Sequence, residues 1–506
     1  MAVLPDGRPE CAGRAVAGVA FHSARVRPGF CFVAVRGARA DGHRFVESAV
    51  ARGASAIVVD RPEVARAVAR RPEGLCVALV TDSRLALAWM AAAFFGHPSR
   101  DLAVVGITGT VGKTSTALFL RQILNGAGRL SGAVGSLGIL TRHHTAPSPL
   151  TTPDAVTLQA ALRTMADEGL ACSVVEVSSH ALMQSRAAGL RLSAGVLTEL
   201  LPHEHADAHP TFRHYLATKA RFLELLEPGA ALAYSTSSAE TVALASRWPG
   251  KWRIRYALLD GGPAGAGDGG HAPASGEGER GCVEGRILSM SLSGVELALA
   301  AHLDGQRPPA VRVHLPLIGP HAASNAVASA AAALALGVNF ERVVAGLSRL
   351  TPPRRRMEPA YRGEFTVIDD TTGHPASFER LFRTLEASAA PSVVLLVGIR
   401  GSRGAEINAR NGQVIARWSH RLPVKAMVVT DSLDVADELN RVRDEERHAL
   451  LSALQDARVQ PIHCPALEDA VAAAVNRTSP GDVLVLAGAQ GLNRAAEMVR
   501  ALLRSR

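Results

Sequence analysis

The sequence predicts an α/β protein of three domains. A central parallel-sheet ATPase domain with a phosphate-binding loop is flanked by an N-terminal α/β domain and a C-terminal Rossmann-like domain. Three observations carry this expectation. The chain has 506 residues, about three domains at roughly 150 residues each. Short apolar runs alternate with helical stretches along its length. The stretch AVVGITGTVGKTSTALFL, residues 103–120, runs an apolar strand into a glycine-rich turn and then a helix. That layout can hold a nucleotide phosphate.

Residues 1–98 make the first expected domain, in which FCFVAV, ASAIVVD and LCVALV read as short strands between helices. The second domain, 99–351, opens on LAVVGITGT, and its runs CSVVEVSS and SAGVLTEL have the continuous apolarity of strands buried on both faces. Within it, residues 260–281 carry almost no large apolar side chains and read as a flexible surface insertion. The helical ASNAVASAAAALALG closes this domain. The third, 352–506, alternates again through FTVIDD, SVVLLVG, KAMVVTD and DVLVLAG, four strands of a small doubly wound sheet.

Composition narrows the function classes. Hydrophobic residues are 47% of the chain, enough for sizeable cores. No run of 18 apolar residues predicts a membrane span, and the start shows no basic segment leading into an apolar one, so a cytoplasmic protein is expected. Six cysteines without a CxxC pair argue against zinc or a disulfide framework. The net charge is +9, but only four of the 55 basic residues are lysines and the arginines are spread throughout. There is no aromatic-studded basic stripe, so anionic small molecules rather than nucleic acid are the expected partners.

Gly109, Thr110, Gly112, Lys113, Thr114 and Ser115 form the candidate cradle. Glycines let backbone N–H groups face a phosphate, Lys113 reaches the outer phosphates, and Thr114 is placed for Mg²⁺. The spacing departs from GxxxxGK[ST] by one, since position 107 is Ile and the glycine is Gly106. Glu176 ends the strand in VVEVSSH, at the edge where ligands of open α/β sheets gather, and reads as a Mg²⁺ ligand or a strand-end ion pair. TELLPHEHADAHP packs His203, Glu204, His205, Asp207 and His209 together, either a metal site or a polar, phosphate-handling loop. On its own, Lys219 in YLATKARFLEL reads as a surface lysine of an amphipathic helix. Asp369 and Asp370 end a strand, where acids grip ribose hydroxyls or cap the next helix.

Taken together, these segments resemble the Mur ligases, ATP-dependent enzymes that build the peptidoglycan stem peptide. The likeness runs nearly the whole chain and is strongest to members adding the third residue to UDP-MurNAc-dipeptide. ARVRPGFCFVAVRGARADGHRF resembles the family's uridine-binding segment, with Ser23 as a substrate contact. GITGTVGKTS resembles its ATP loop, whose own spacing accounts for the displaced glycine; Val111 stands where Asn is usual. LTTPDAVTLQ is similar to the threonine pair that touches the UDP-sugar peptide, implicating Thr151 and Thr152. EVSSHAL implies Glu176 as a magnesium ligand and Ser178 as a substrate contact, and Arg186 falls on the substrate arginine. HADAH resembles DHLDYH, implying His205 as a second magnesium ligand, and Lys219 matches the lysine the family carbamylates. GPHAASN resembles GxHNxxN, keeping His321 and Asn325 near adenine, while PRRRMEP implies Arg356 on the nucleotide and Asp369 on the ribose.

The resemblance implies a catalytic set of Lys113, Lys219 and His205, with ATP, Mg²⁺ and a carbamylated Lys219, in a monomer that joins a carboxylate to an amine. Other segments depart from the family. DSR becomes HSA, with His22 and Ala24; DNPR gives way to TDSLDVADE; GGDRD-like sequence becomes RGSRG; and GKGHE becomes GAQGLN. The ATP and acyl-activating parts are kept while the amino-acid pocket and part of the uridine pocket are rewritten. The first expectation is therefore an amide ligase of a specialised pathway. A stem-peptide ligase adding a residue other than diaminopimelate to UDP-MurNAc-dipeptide and a non-catalytic nucleotide-binding protein are the alternatives.

Overall fold

The computed structural model describes residues 13, 15–37, 40–70, 75–202, 209–250, 252–259, 279–306 and 308–504. Three sheets organise it. The first is fully parallel and takes its strands in chain order: Gly18–Ala20, Phe30–Val33, Ala56–Val59 and Cys76–Leu79. Its helix Ser83–Phe94, capped by Asp82, packs on Ala155 at the start of the middle-sheet helix Ala155–Asp167.

The middle sheet has 11 strands. Its centre runs Leu226–Ser235, Leu192–Leu197, Ala103–Thr108, Cys172–Glu176 and Ser131–Gly135, all parallel, and antiparallel strands finish both edges. The central strands are buried along nearly their whole length, as their unbroken apolar runs require. Ala103–Thr108 feeds helix Lys113–Gly126, which packs against the alanine-rich helix Pro320–Ala335. Small side chains let those two helices approach closely.

The third sheet runs Glu358–Arg362, Thr366–Asp370, Val483–Ala487, Val393–Gly398, Val424–Thr430 and Ile462–Cys464, parallel except for the first pair. Two of its six strands escape the sequence reading. Glu358–Arg362 is only half-buried and carries no apolar run, and Ile462–Cys464 has three residues.

The predicted insertion also changes at one end. Residues 279–281 begin the strand Glu279–Ser291, where the Glu279 carboxylate accepts from Arg255 at 2.7 Å and from the Tyr234 hydroxyl. A composition of Gly, Glu and Arg hides a strand that is pinned by polar contacts. Residues 260–278 lie outside the described residues. Among the described residues no helix is long and apolar enough to cross a membrane.

Candidate active site

A cleft of about 420 Å³ opens at the carboxyl edge of the middle sheet, walled on its far side by the third sheet. Helices Lys113–Gly126, Pro320–Ala335 and Pro375–Ala387 all bring their first turns to it, through Lys113, His321 and Ser377. Three positive helix ends converging on one cleft favour an anion.

The loop that enters the first helix depends on glycine. Gly112 is the N-cap at φ 86°, and a Cβ there would lie 2.5 Å from Asn325 Oδ1. A Cβ on Gly109 would lie 1.8 Å from Thr198 Oγ1. Thr198 secures the loop by donating from its hydroxyl to the Val111 carbonyl at 2.6 Å, while Thr110 N–H donates to Glu199 O at 2.7 Å. Lys113 Nζ donates to the carbonyls of Gly109 and Thr110 at 2.8 and 2.9 Å. Thr110, Gly112, Lys113, Thr114 and Ser115 all line the cleft, and Gly109 lies behind them.

Glu176 is the last residue of its strand and is 1% exposed. It accepts from the Thr114 hydroxyl at 2.8 Å and from Ser136 N–H at 2.8 Å. Burial pushes its pKa up, against those two hydrogen bonds and the charges of Lys113 and Arg356. A buried carboxylate beside a threonine hydroxyl is a set of hard oxygens suited to magnesium.

The predicted substrate residues form a connected patch beside Glu176. Thr152 Oγ1 donates to Glu176 O at 2.7 Å and accepts from Ser178 N–H at 3.0 Å. Arg186 Nη1 donates to Thr152 O at 2.9 Å, and Thr151 Oγ1 lies 3.0 Å from Ser136 Oγ. Ser178 caps the short helix Ser179–Met183, accepting from Ala181 N–H. Ser23 is apart from this patch, in the single turn Ser23–Arg25 of the N-terminal unit.

Lys219 departs from the surface-lysine alternative. It lies on helix Phe212–Ala220 but is 1% exposed, donating from Nζ to Thr108 Oγ1 at 2.8 Å and Gly109 O at 3.1 Å. Burial, and then the charge of Lys113, hold its pKa well below the ordinary lysine value. Its amine thus sits directly behind the phosphate-binding loop. His205 lies outside the described residues.

Across the cleft stand His321, Asn325 and Arg356, all in the lining. Asp369 does not join them. Successive strand residues face opposite ways, and Asp369 turns inward to pair with Arg355 Nε at 3.1 Å, with its side chain 2% exposed. Asp370 is the acid in the cleft wall, accepting from Met357 N–H at 2.8 Å. Burial pushes its pKa up to about 6, against that hydrogen bond and the charges of Arg356 and Arg380.

Arg380 is a cleft residue that motif reading missed. Helical spacing could have found it, since Ser377, Arg380 and Thr384 share one face of the helix that follows Asp370.

Comparison with known proteins follows the same division. The chain matches the Mur ligase family catalytic domain over residues 15–95, the Mur ligase middle domain over 107–261, and the Mur ligase glutamate ligase domain over 355–490. It is 32% identical to the UDP-N-acetylmuramoyl-L-alanyl-D-glutamate--2,6-diaminopimelate ligase of Bradyrhizobium diazoefficiens, over 95% of this chain and 91% of that one. It is 31% identical to the UDP-N-acetylmuramyl-tripeptide synthetase of a Roseiflexus species, over 96% and 91%. Among solved structures, a UDP-N-acetylmuramoyl-L-alanyl-D-glutamate--2,6-diaminopimelate ligase shares the fold with a TM-score of 0.66 at 17% identity, over 96% and 95% of the two chains. A folylpolyglutamate synthase of Mycobacterium tuberculosis, complexed with ADP and AMPPCP, has a TM-score of 0.59 at 18% identity, over 83% and 94%.

Proposed function

The chain belongs to the Mur ligase family, and from that premise we propose that it is an ATP-dependent ligase joining a carboxylate to an amine. The observation that carries this reading is the contact of Thr114 with Glu176 beside Lys113, in a cleft where three helix N-termini meet. The substrate carboxylate attacks the γ-phosphorus of ATP, giving an acyl phosphate and ADP. The amine then attacks the acyl carbon, phosphate leaves, and the amine gives up a proton as the amide forms. Both steps need charge neutralisation more than covalent help.

Lys113 and Arg356 supply fixed positive charge from opposite walls, and the N–H groups at the Lys113 helix entrance add theirs. Magnesium, which the donor pair of Thr114 and Glu176 fits, neutralises phosphate charge when bound. Asp370 accepts from ribose hydroxyls, and His321 and Asn325 lie toward the base. Thr151, Thr152, Ser178 and Arg186 hold the acyl substrate beside Glu176, with Ser23 contacting its far end. Lys219 is carbamylated: burial favours the neutral amine, the form that adds CO₂. A carbamate at Lys219 would hold a second magnesium, which a bare ammonium would repel; the family resemblance would add His205, which lies outside the described residues.

The amine partner departs from diaminopimelate in this reading, since TDSLDVADE stands where the family has DNPR. In TDSLDVADE, Asp431 is buried against Arg447 at 2.8 Å and His463 at 3.2 Å, and Asp434 accepts from Leu467 N–H at 2.6 Å. These acids are taken up by internal contacts rather than presented to a substrate. We place the enzyme in the cytoplasm, as a monomer acting on small molecules.

A phosphate-release screen with ATP and Mg²⁺ across amino acids and amines tests this, run with and without UDP-MurNAc-dipeptide. Release that needs UDP-MurNAc-dipeptide selects the stem-peptide alternative. Release with another carboxylic acid plus an amine supports a specialised ligase. ATP binding without amine-dependent release overturns the enzyme reading.

A further inference from the structure

Three acids line the cleft among the described residues: Glu176, Glu199 and Asp370. Two of them are engaged, Glu176 by Thr114 and Ser136 and Asp370 by Met357 N–H. Glu199 stands two residues past strand Leu192–Leu197, and its backbone carbonyl takes the Thr110 N–H at 2.7 Å. That bond fixes the residue beside the phosphate-binding loop. Its side chain is half-buried, and among the described residues no hydrogen bond or ion pair engages its carboxylate.

Sheet order decides which part of a nucleotide this carboxylate faces. Along the carboxyl edge the strands run Trp252–Leu259, Leu226–Ser235, Leu192–Leu197, Ala103–Thr108, Cys172–Glu176 and Ser131–Gly135. The phosphate-binding loop follows Ala103–Thr108. On one side of it lie Glu176, Ser136 and Thr151, where the reading above places the acyl group. On the other lie Glu199, Ser235 and Tyr256, with the start of helix Pro320–Ala335, which packs on those strands. A nucleotide with its phosphates on the loop and its γ-phosphorus toward the acyl group carries its base to the Glu199 side. A carboxylate would repel the phosphates, so the base is the part it suits.

Other polar groups on that side are already taken up. The Tyr256 hydroxyl donates to Leu197 O at 3.2 Å, and Ser235 Oγ lies 2.7 Å from Ser237 Oγ. Asn325 Oδ1 accepts from the Thr116 hydroxyl at 3.4 Å, and Ala322 in the same wall has no polar side-chain atom. Burial raises the Tyr256 pKa, Ser235 opposes the rise, and the charge of Glu199 adds to it, which sets the carboxylate near that hydroxyl. An ionised carboxylate only accepts hydrogen bonds, and it suits a base that presents an amine.

We propose that Glu199 is a specificity-determining residue for the nucleotide, accepting a hydrogen bond from the exocyclic amine of adenine. This rests on the ATP-dependent ligase reading above and names the residue that reads the base. Guanine puts a carbonyl oxygen where adenine carries its amine, which sets two acceptors against each other.

The test is calorimetric titration of the full chain, with Mg²⁺ present, against ADP, GDP and purine riboside diphosphate, which is ADP without its amine. Wild type, Glu199→Ala and Glu199→Gln are compared. The wild type is expected to bind ADP about 10- to 100-fold more tightly than either other nucleotide. Glu199→Ala should bind ADP no better than the amine-free nucleotide, whose own affinity should be unchanged. Glu199→Gln, with a carbonyl that still accepts, should keep part of the preference. An equal loss for ADP and the amine-free nucleotide marks a structural or phosphate role and overturns the proposal. So does a wild type that binds all these nucleotides alike, or a preference for ADP that survives in Glu199→Ala. A wild type that binds none of them overturns the nucleotide reading itself, and this proposal with it.

Discussion

Lys219 is a fully buried amine set directly behind a phosphate-binding loop, and its chemistry is read most clearly in a single-site change. Lys219→Ala is expected to abolish amide formation, with no rescue by excess bicarbonate. The wild type equilibrated with ¹³C-bicarbonate should show a carbamate carbon resonance that the variant lacks. Wild-type-like activity, or an unchanged resonance in the variant, removes the carbamate role.

The two adjacent acids separate in the same way. Asp370→Asn should weaken ADP binding, whereas Asp369→Asn should act mainly on stability, by breaking the contact with Arg355. Because burial raises the Asp370 pKa to about 6, its carboxylate form grows as pH rises through that value. ADP affinity should therefore increase from pH 5 to pH 7 in the wild type and stay flatter in Asp370→Asn, as measured by titration calorimetry.

These acids also show where sequence reading stops. Two neighbouring aspartates on a strand differ only in which face they occupy, and packing of the third sheet on the cleft decides that face. Lys113, Thr114 and Glu176 were legible because their placement is local, at a helix start and a strand end. The burial of Lys219 was not, since its helix composition alone resembles a surface helix.

At the scale of elements, the strands that strong apolar runs announce are present, and those made by weak or polar sequence went unread. Glu358–Arg362 and the start of Glu279–Ser291 exist because neighbours supply their pairing and their ion pairs. The RGSRG loop is a similar case. Its sequence has no turn signature that predicts rigidity, yet a distant helix residue, Glu446, fixes it. Glu446→Ala leaves several N–H donors without their acceptor and should destabilise the protein by about 2–3 kcal/mol. Urea denaturation should show this as a lower midpoint, and an unchanged midpoint would remove Glu446 from its role as the loop's support. Gly112→Ala should act differently, straining a left-handed N-cap and crowding Asn325 so that ADP binding is lost before stability.

Across the whole molecule, the middle sheet brings the phosphate-binding loop, Glu176 and the Thr152–Ser178–Arg186 patch to one edge. The third sheet contributes Arg356, Asp370 and Arg380 from the opposite wall. The cleft is thus completed by residues more than 150 positions apart in the chain, which motif order suggests but only the packing of sheets assembles. The central claim is that phosphate passes onto a carboxylate before an amine replaces it. The most direct measurement uses the carboxylate identified by the phosphate-release screen, labelled with ¹⁸O in its carboxyl group. The account predicts one ¹⁸O in each phosphate released, together with ADP and one amide. Unlabelled phosphate, or release of AMP and pyrophosphate, would contradict it.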